Sequence, residues 1–323
     1  MHVAVDNLTT IGVACQVLLK DIDILINRKK YTQVVDCVNE FWPDDKFGTR
    51  AMIKVNRIRS RLIKFVEIYL WLIVFGIASF FLKTIVEREK NLPALWIAFC
   101  DLNNSPCYVI NYVAQVLCIL WGMMGLLSYD FMIILLLGLG YREFEQIKCG
   151  FLELPINETV AGDDAEALEQ IRDLVKQHNL VLEFIDGIRG LLSKILVFQF
   201  VAVSYMICSS LFLLSAVGFP PPKSTIYRII PYLASVFGQN LLFCIAGQLI
   251  SDQSTSVADA AYASKWWAKT QPRLRRAICL VILRSQRESQ ISAAGIIKVD
   301  LNTFVAVTKT TSSVLAFANA IFQ

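Results

Sequence analysis

Thr308, Lys309, Thr310, Thr311, Ser312 and Ser313 follow one another inside an otherwise apolar C-terminal stretch. A helix surrounded by lipid does not collect hydroxyls and an ammonium, so this run must face protein or water on most sides. At helical spacing Thr310, Ser313, Val314, Phe317 and Ile321 share one face, hydroxylic in its first half and apolar in its second. Such a face suits a water-filled pore with a hydrophobic constriction that gates by dewetting. It equally suits close helix packing through small residues. Asp130, inside another apolar run, poses the same kind of choice. It is either an ion-pathway or switch residue or a hydrogen-bonded helix contact near the inner membrane interface. Phe75, Ser79, Phe80, Tyr112, Gln115, Trp121, Tyr232 and Phe237 form a third group, aromatic with a few polar members. That mixture fits a small apolar ligand, and it also fits the filling of any helix bundle.

Catalytic and metal chemistry find little to work with. There are two histidines, His2 and His178, far apart in sequence, and nine cysteines without a C-x-x-C pair. Neither a glycine-rich phosphate loop nor paired catalytic carboxylates occur, so the sequence points away from an enzyme and calls for no cofactor or metal. A net charge of +4 gives no general support for nucleic acid as a partner.

The elements that must position these residues are set by hydropathy. Hydrophobic residues make up 55% of the 323, and charged ones 18%, below the roughly 25% of soluble domains. A spanning helix needs about 20 mostly apolar residues. Six runs are candidates: 3–19, 65–82, 112–139, 191–217, 226–250 and 295–322. The predicted fold is therefore all-α, a polytopic transmembrane helical bundle treated as one membrane domain over 1–323. Lys and Arg alternate steeply between the connections. Residues 28–61, 140–190 and 251–294 hold nine, five and seven; residues 83–106 and 218–225 hold three and one. The basic connections belong in the cytoplasm, which puts the C-terminus of a multi-pass membrane protein outside. The same count starts the chain outside without a signal peptide, which suggests an earlier helix missing from this sequence.

Two cytoplasmic stretches carry their own helical signal. From Asp163, apolar residues recur at Leu168, Ile171, Val175, Leu182, Ile185 and Ile188, so a helix over 163–190 runs without a break into the fourth span. Residues 264–289 carry seven basic side chains around the apolar core Ala277 to Leu283. Pro272 suits the first turn of a helix there. This helix, over 272–289, packs against other cytoplasmic helices or lies on anionic lipid.

The stretch "AYASKWWAKTQPRLRRAICLVILRSQRESQISAAGIIKVDLNTFVAVTKTTSS" resembles the C-terminal signature of insect odorant receptors. The matching positions are Trp266 and Trp267, Pro272, Arg284 to Gln286, Leu301 to Phe304, Lys309, and Ser312 with Ser313. "HNLVLEFIDGIRGLLSKILVFQF" and the Asp130 helix resemble the family's middle. That resemblance implies seven spanning helices, of which this chain lacks the first. It also implies a ligand-gated, non-selective cation channel of four subunits, a hetero-tetramer with a shared co-receptor subunit, in the sensory perception of smell. A small volatile odorant would bind in the outer half of the bundle, between the first, second, third and fifth helices. Phe317, with Val314 and Ile321, would fall at the constriction. Trp266, Trp267, Pro272, Arg284 and Gln286 would belong to a cytoplasmic anchor bundle between subunits. The alternatives are a membrane transporter, which would show broken helices or internal repeats, and a truncated, non-functional receptor fragment.

Overall fold

The computed structural model describes residues 2–43, 46–86, 105–155, 164–216, 223–268 and 271–322. Within them the chain forms seven helices, α1 (His2–Val38), α2 (Gly48–Val86), α3 (Ser105–Leu152), α4 (Asp164–Ala216), α5 (Lys223–Ala263), α6 (Pro272–Ser285) and α7 (Leu301–Phe322). A two-stranded hairpin, β1 (Ser292–Ala293) and β2 (Ile297–Lys298), lies between α6 and α7. The all-α bundle expected from hydropathy is the fold. Among the described residues, three helices are long and apolar enough to cross a membrane: α3, α4 and α5. The runs at 3–19 and 65–82 lie within α1 and α2.

The helices outlast the apolar runs that announced them. The 53 residues of α4 are roughly 80 Å of helix, far more than a hydrocarbon core requires. As its periodicity predicted, α4 starts at Asp164 and buries Ile171, Leu182, Ile185 and Ile188. Residues 28–38, 48–61, 140–152 and 251–263, which the charge pattern marked only as connections, are helical as well. They are charged because their outer faces are wet, and helical because their inner faces pack together. Part of the core lies in this extended region, where Phe144, Ile147, Phe151, Phe184, Ile185, Ile188 and Ala261 are at most 1% exposed. By contrast Ile68, Trp71, Val74, Ile110, Leu117 and Trp121 on α2 and α3 are uncovered, as apolar side chains facing lipid or a neighbour would be.

α4 sits centrally, against α1, α3, α5, α6 and α7, while α2 packs on α5 and α3. The chain after α1 is fastened by polar groups. Glu143 accepts from the Trp42 backbone N–H at 3.0 Å and from Gln177 Nε2 at 2.7 Å. Gln146 Nε2 donates to the Pro43 carbonyl at 3.1 Å. A second hub joins α2, α3 and α5: Glu145 meets Lys148 at 2.6 Å, Lys54 at 3.3 Å and Gln253 Nε2 at 2.7 Å.

The last span differs from its predicted bounds. Its helix begins at Leu301, because residues 292–298 form the hairpin, turned by Ala294 (φ 52°) and Gly295 (φ 71°). Asp300 then caps α7, its Oδ1 accepting from the Thr303 backbone N–H at 2.8 Å. The hairpin is tied to α4 by Ala294 N–H donating to the Ser193 carbonyl at 2.9 Å. Glu288 accepts from Lys298 Nζ at 2.8 Å and from Ser251 Oγ at 2.7 Å. Those two donors, Lys298 first, hold the Glu288 carboxyl below the usual carboxylate range.

Candidate functional site

α7 has two unlike faces. Phe304, Val307, Thr308 and Thr311 stand at positions 0, 3, 4 and 7 of one stripe and pack inward, and α7 meets α4 and α5. Thr311 is buried, 2% exposed, while Lys309, Thr310, Ser312 and Ser313 are exposed. Each hydroxyl of the run donates to the carbonyl four residues back. Thr308 reaches Phe304, Thr310 reaches Ala306, Thr311 reaches Val307, Ser312 reaches Thr308 and Ser313 reaches Lys309, all at 2.7–3.0 Å. The donors are thus satisfied within the helix, and the oxygens keep a lone pair for whatever faces them. Thr310 and Ser313 of the predicted pore face are therefore uncovered in this chain. The side chains of Val314, Phe317 and Ile321 lie outside the described residues.

The aromatic group is partly assembled. Tyr232 and Phe237 of α5 join Val203, Met206 and Ile207 of α4 and Val13 of α1 in one apolar cluster. The Phe237 ring stands edge-on to Phe304 of α7 at 6.4 Å, so this cluster touches the helix with the hydroxyl face. The Tyr232 hydroxyl is buried without a hydrogen-bond partner among the described residues. Gln115 is buried on α3, and Tyr112 stacks on Tyr108 with centroids 6.1 Å apart. Phe75 and Trp121 are 56% and 83% exposed. The side chains of Ser79 and Phe80 lie outside the described residues.

Asp130 resolves into a helix-to-helix tie. It is fully buried, and its Oδ1 meets Lys20 Nζ of α1 at 2.5 Å. Its Oδ2 accepts from Gln239 Nε2 of α5 at 2.6 Å. One carboxylate thus holds α1, α3 and α5 together. Next to it Tyr31 and Tyr129 share a hydrogen bond of 3.0 Å between their hydroxyls, and Tyr31 O–H donates to Asp23 at 2.7 Å. Asn27, where α1 departs from helical geometry (φ −98°, ψ 15°), donates to the same Asp23 at 2.7 Å. Sequence reasoning found Asp130 and missed Lys20, although a lone lysine just past an apolar run is the signal such a partner leaves.

The aromatic-basic segment between α5 and α6 is built as a corner. Trp266 and Trp267, in a short 3-10 turn, pack edge-on at 6.4 Å, and Tyr262 meets Trp267 at 5.5 Å. Arg275 Nη2 donates to the Trp267 carbonyl at 2.9 Å. Pro272 opens α6, which ends at Ser285, short of the predicted 289, with Gln286 as its cap. One stripe, Leu274, Ile278, Val281 and Ser285, is buried. Leu280 and Leu283 on the far side are 60% and 67% exposed, and Arg284 and Gln286 are exposed too. The apolar middle is therefore only half covered by its own chain. Among the described residues no group of His, Cys, Asp or Glu could hold a metal ion.

The comparisons with known proteins agree with this geometry. Odorant receptor 10 of Aedes albopictus is 20% identical over 315 residues, 95% of this chain and 81% of that protein. Odorant receptor 85b of Drosophila melanogaster is 28% identical over 144 residues, 45% of this chain and 36% of that protein. The solved structure of the insect olfactory receptor OR5 from Machilis hrabei in complex with eugenol shares the fold with a TM-score of 0.79. It is 15% identical, and the match covers 100% of this chain and 82% of that one. The family model described as 7tm Odorant receptor matches residues 1–312, and the chain belongs to that family of membrane receptors.

Proposed function

We propose that the protein is a subunit of an odorant-gated, non-selective cation channel of the plasma membrane, with its C-terminus outside. α7 of each of four subunits lines the pore, and the chain assembles with a co-receptor subunit. The observation that carries this reading is the division of α7, whose inward stripe of Phe304, Val307, Thr308 and Thr311 packs on α4 and α5 while Thr310 and Ser313 stay uncovered. A hydroxylic face suits water, and an apolar ring at Val314, Phe317 and Ile321 would gate it by dewetting. The exposed Leu280 and Leu283 of α6 fit burial at a subunit junction, with the arginines around them left wet. A disulfide at Cys107, near the start of α3, fits an outer, oxidising side there.

The ligand would be a small volatile apolar molecule in the outer half of the bundle. Tyr232 offers it an unpaired hydroxyl within an apolar cluster. Displacement of Phe237 by the ligand is passed to Phe304 and so to α7 through their ring contact. The test is voltage-clamp recording after co-expression with the co-receptor, using eugenol and other small volatile phenols and alcohols as probes. The expected result is an evoked current that persists when sodium replaces potassium and is weakened by Tyr232→Ala. Solute flux without current would favour a transporter instead. Silence from protein present at the cell surface would contradict the channel reading.

A further inference from the structure

Between α1 and α4 runs a cleft of about 300 Å³, which borders the Tyr232 cluster at Ala202. The two helices are close at Gly12, where an added Cβ would lie 3.3 Å from Met206. Along the cleft the walls are apolar, with Phe198 half exposed, and Cys15 is exposed at its edge. Two neutral amides break this pattern. Gln16 and Gln199 are 5% and 3% exposed, yet among the described residues Gln16 Nε2 and both Gln199 side-chain polar atoms have no hydrogen-bond partner. Leaving buried amide groups unpaired costs about 1–3 kcal/mol each, so an apolar cleft that keeps them is built for something that pairs them.

We infer that this cleft is a second binding site, for a medium-chain aliphatic alcohol. A hydroxyl donates to Gln199 Oε1 while accepting from an amide N–H, which one neutral head group must do to satisfy both kinds of atom. Its alkyl chain covers the apolar wall. A carboxylate head is disfavoured, because the cation lining the cleft, Lys20, is already paired with Asp130, and a second buried anion would face that acid. The assignment stands apart from the gating proposal, and its test reads binding and not current.

The full chain, reconstituted in lipid nanodiscs, is treated with N-ethylmaleimide with and without 1-octanol, and each cysteine is followed by mass spectrometry. Octanol slows modification of Cys15 and leaves the exposed Cys118 and Cys279 unchanged. At equal membrane concentration octane protects about tenfold less, since it lacks the hydrogen bonds. Gln199→Leu abolishes the advantage of octanol over octane without changing the unprotected rate. A diazirine-bearing octanol on the unaltered chain gives an independent reading, with adducts expected on residues 195–205. Equal protection by octane and octanol would mean a furrow filled by lipid chains. Adducts confined to other helices would mean that water alone meets the two glutamines. Either outcome overturns the assignment.

Discussion

Asp130→Leu destabilises the solubilised protein by about 3–5 kcal/mol, the usual cost of removing one partner from a buried ion pair. The reason is what remains. Lys20, with a side chain 3% exposed, loses its counter-ion, and Gln239 loses its acceptor. The Lys20→Met/Asp130→Leu double variant recovers part of that loss, because exchanging a whole buried pair for apolar groups of similar volume is often neutral or better. What it does not recover is the orphaned Gln239, at about 1–3 kcal/mol. Thermal unfolding of the four proteins followed by size-exclusion chromatography gives the coupling directly. Additive single effects would show that Lys20 and Asp130 do not act as a pair, and α1 would then be held to α3 by packing alone.

Gly247→Val disrupts the entry of α7. A Cβ at Gly247 would lie 2.2 Å from the Val299 carbonyl oxygen, which is backbone and not the movable end of a side chain. That carbonyl sits between the hairpin and the Asp300 cap, where Val299 N–H donates to the Ile291 carbonyl at 3.0 Å. The strand therefore has little room to yield, and the cost exceeds the roughly 1–3 kcal/mol of ordinary overpacking. Unfolding followed by tryptophan fluorescence should fall sharply, and evoked current should fall with it. Gly190→Ala is the matched control. A Cβ there meets nothing within 4 Å, and a helical glycine replaced by alanine gains roughly 0.5–1 kcal/mol. Equal behaviour of the two variants would show that α5 and the residue 299 backbone are not in the contact described.

Local patterns in the sequence were enough for some of these elements. The spacing from Leu168 to Ile188 placed the start of α4, and the hydroxyl run marked α7 as a helix unsuited to lipid on all sides. What the pattern missed depends on contacts distant in sequence. Lys20 and Asp130 are 110 residues apart, and their depths match only once α1 and α3 lie side by side. The charged halves of α1 and α2 read as connections because a wet outer face hides a packed inner one. The second half of the hairpin was absorbed into the last span because Ile296 and Ile297 are apolar, although Gly295 and the capping Asp300 are the local signs of a turn and a helix start. Of the aromatic group, Tyr232 and Phe237 shared a cluster, while Trp121 faced outward. Hydropathy gives depth along a helix and says little about which side of it meets ligand.

The central claim is that the uncovered face of α7 meets water. Single cysteines at Thr310, Ser313 and Phe317, with Thr311→Cys as the buried control, are exposed to a charged, water-soluble thiol reagent while the odorant holds the channel open. The account predicts modification at the first three positions with a fall in current, and none at Thr311. Current that flows undiminished while Thr310→Cys, Ser313→Cys and Phe317→Cys all stay unmodified would contradict it.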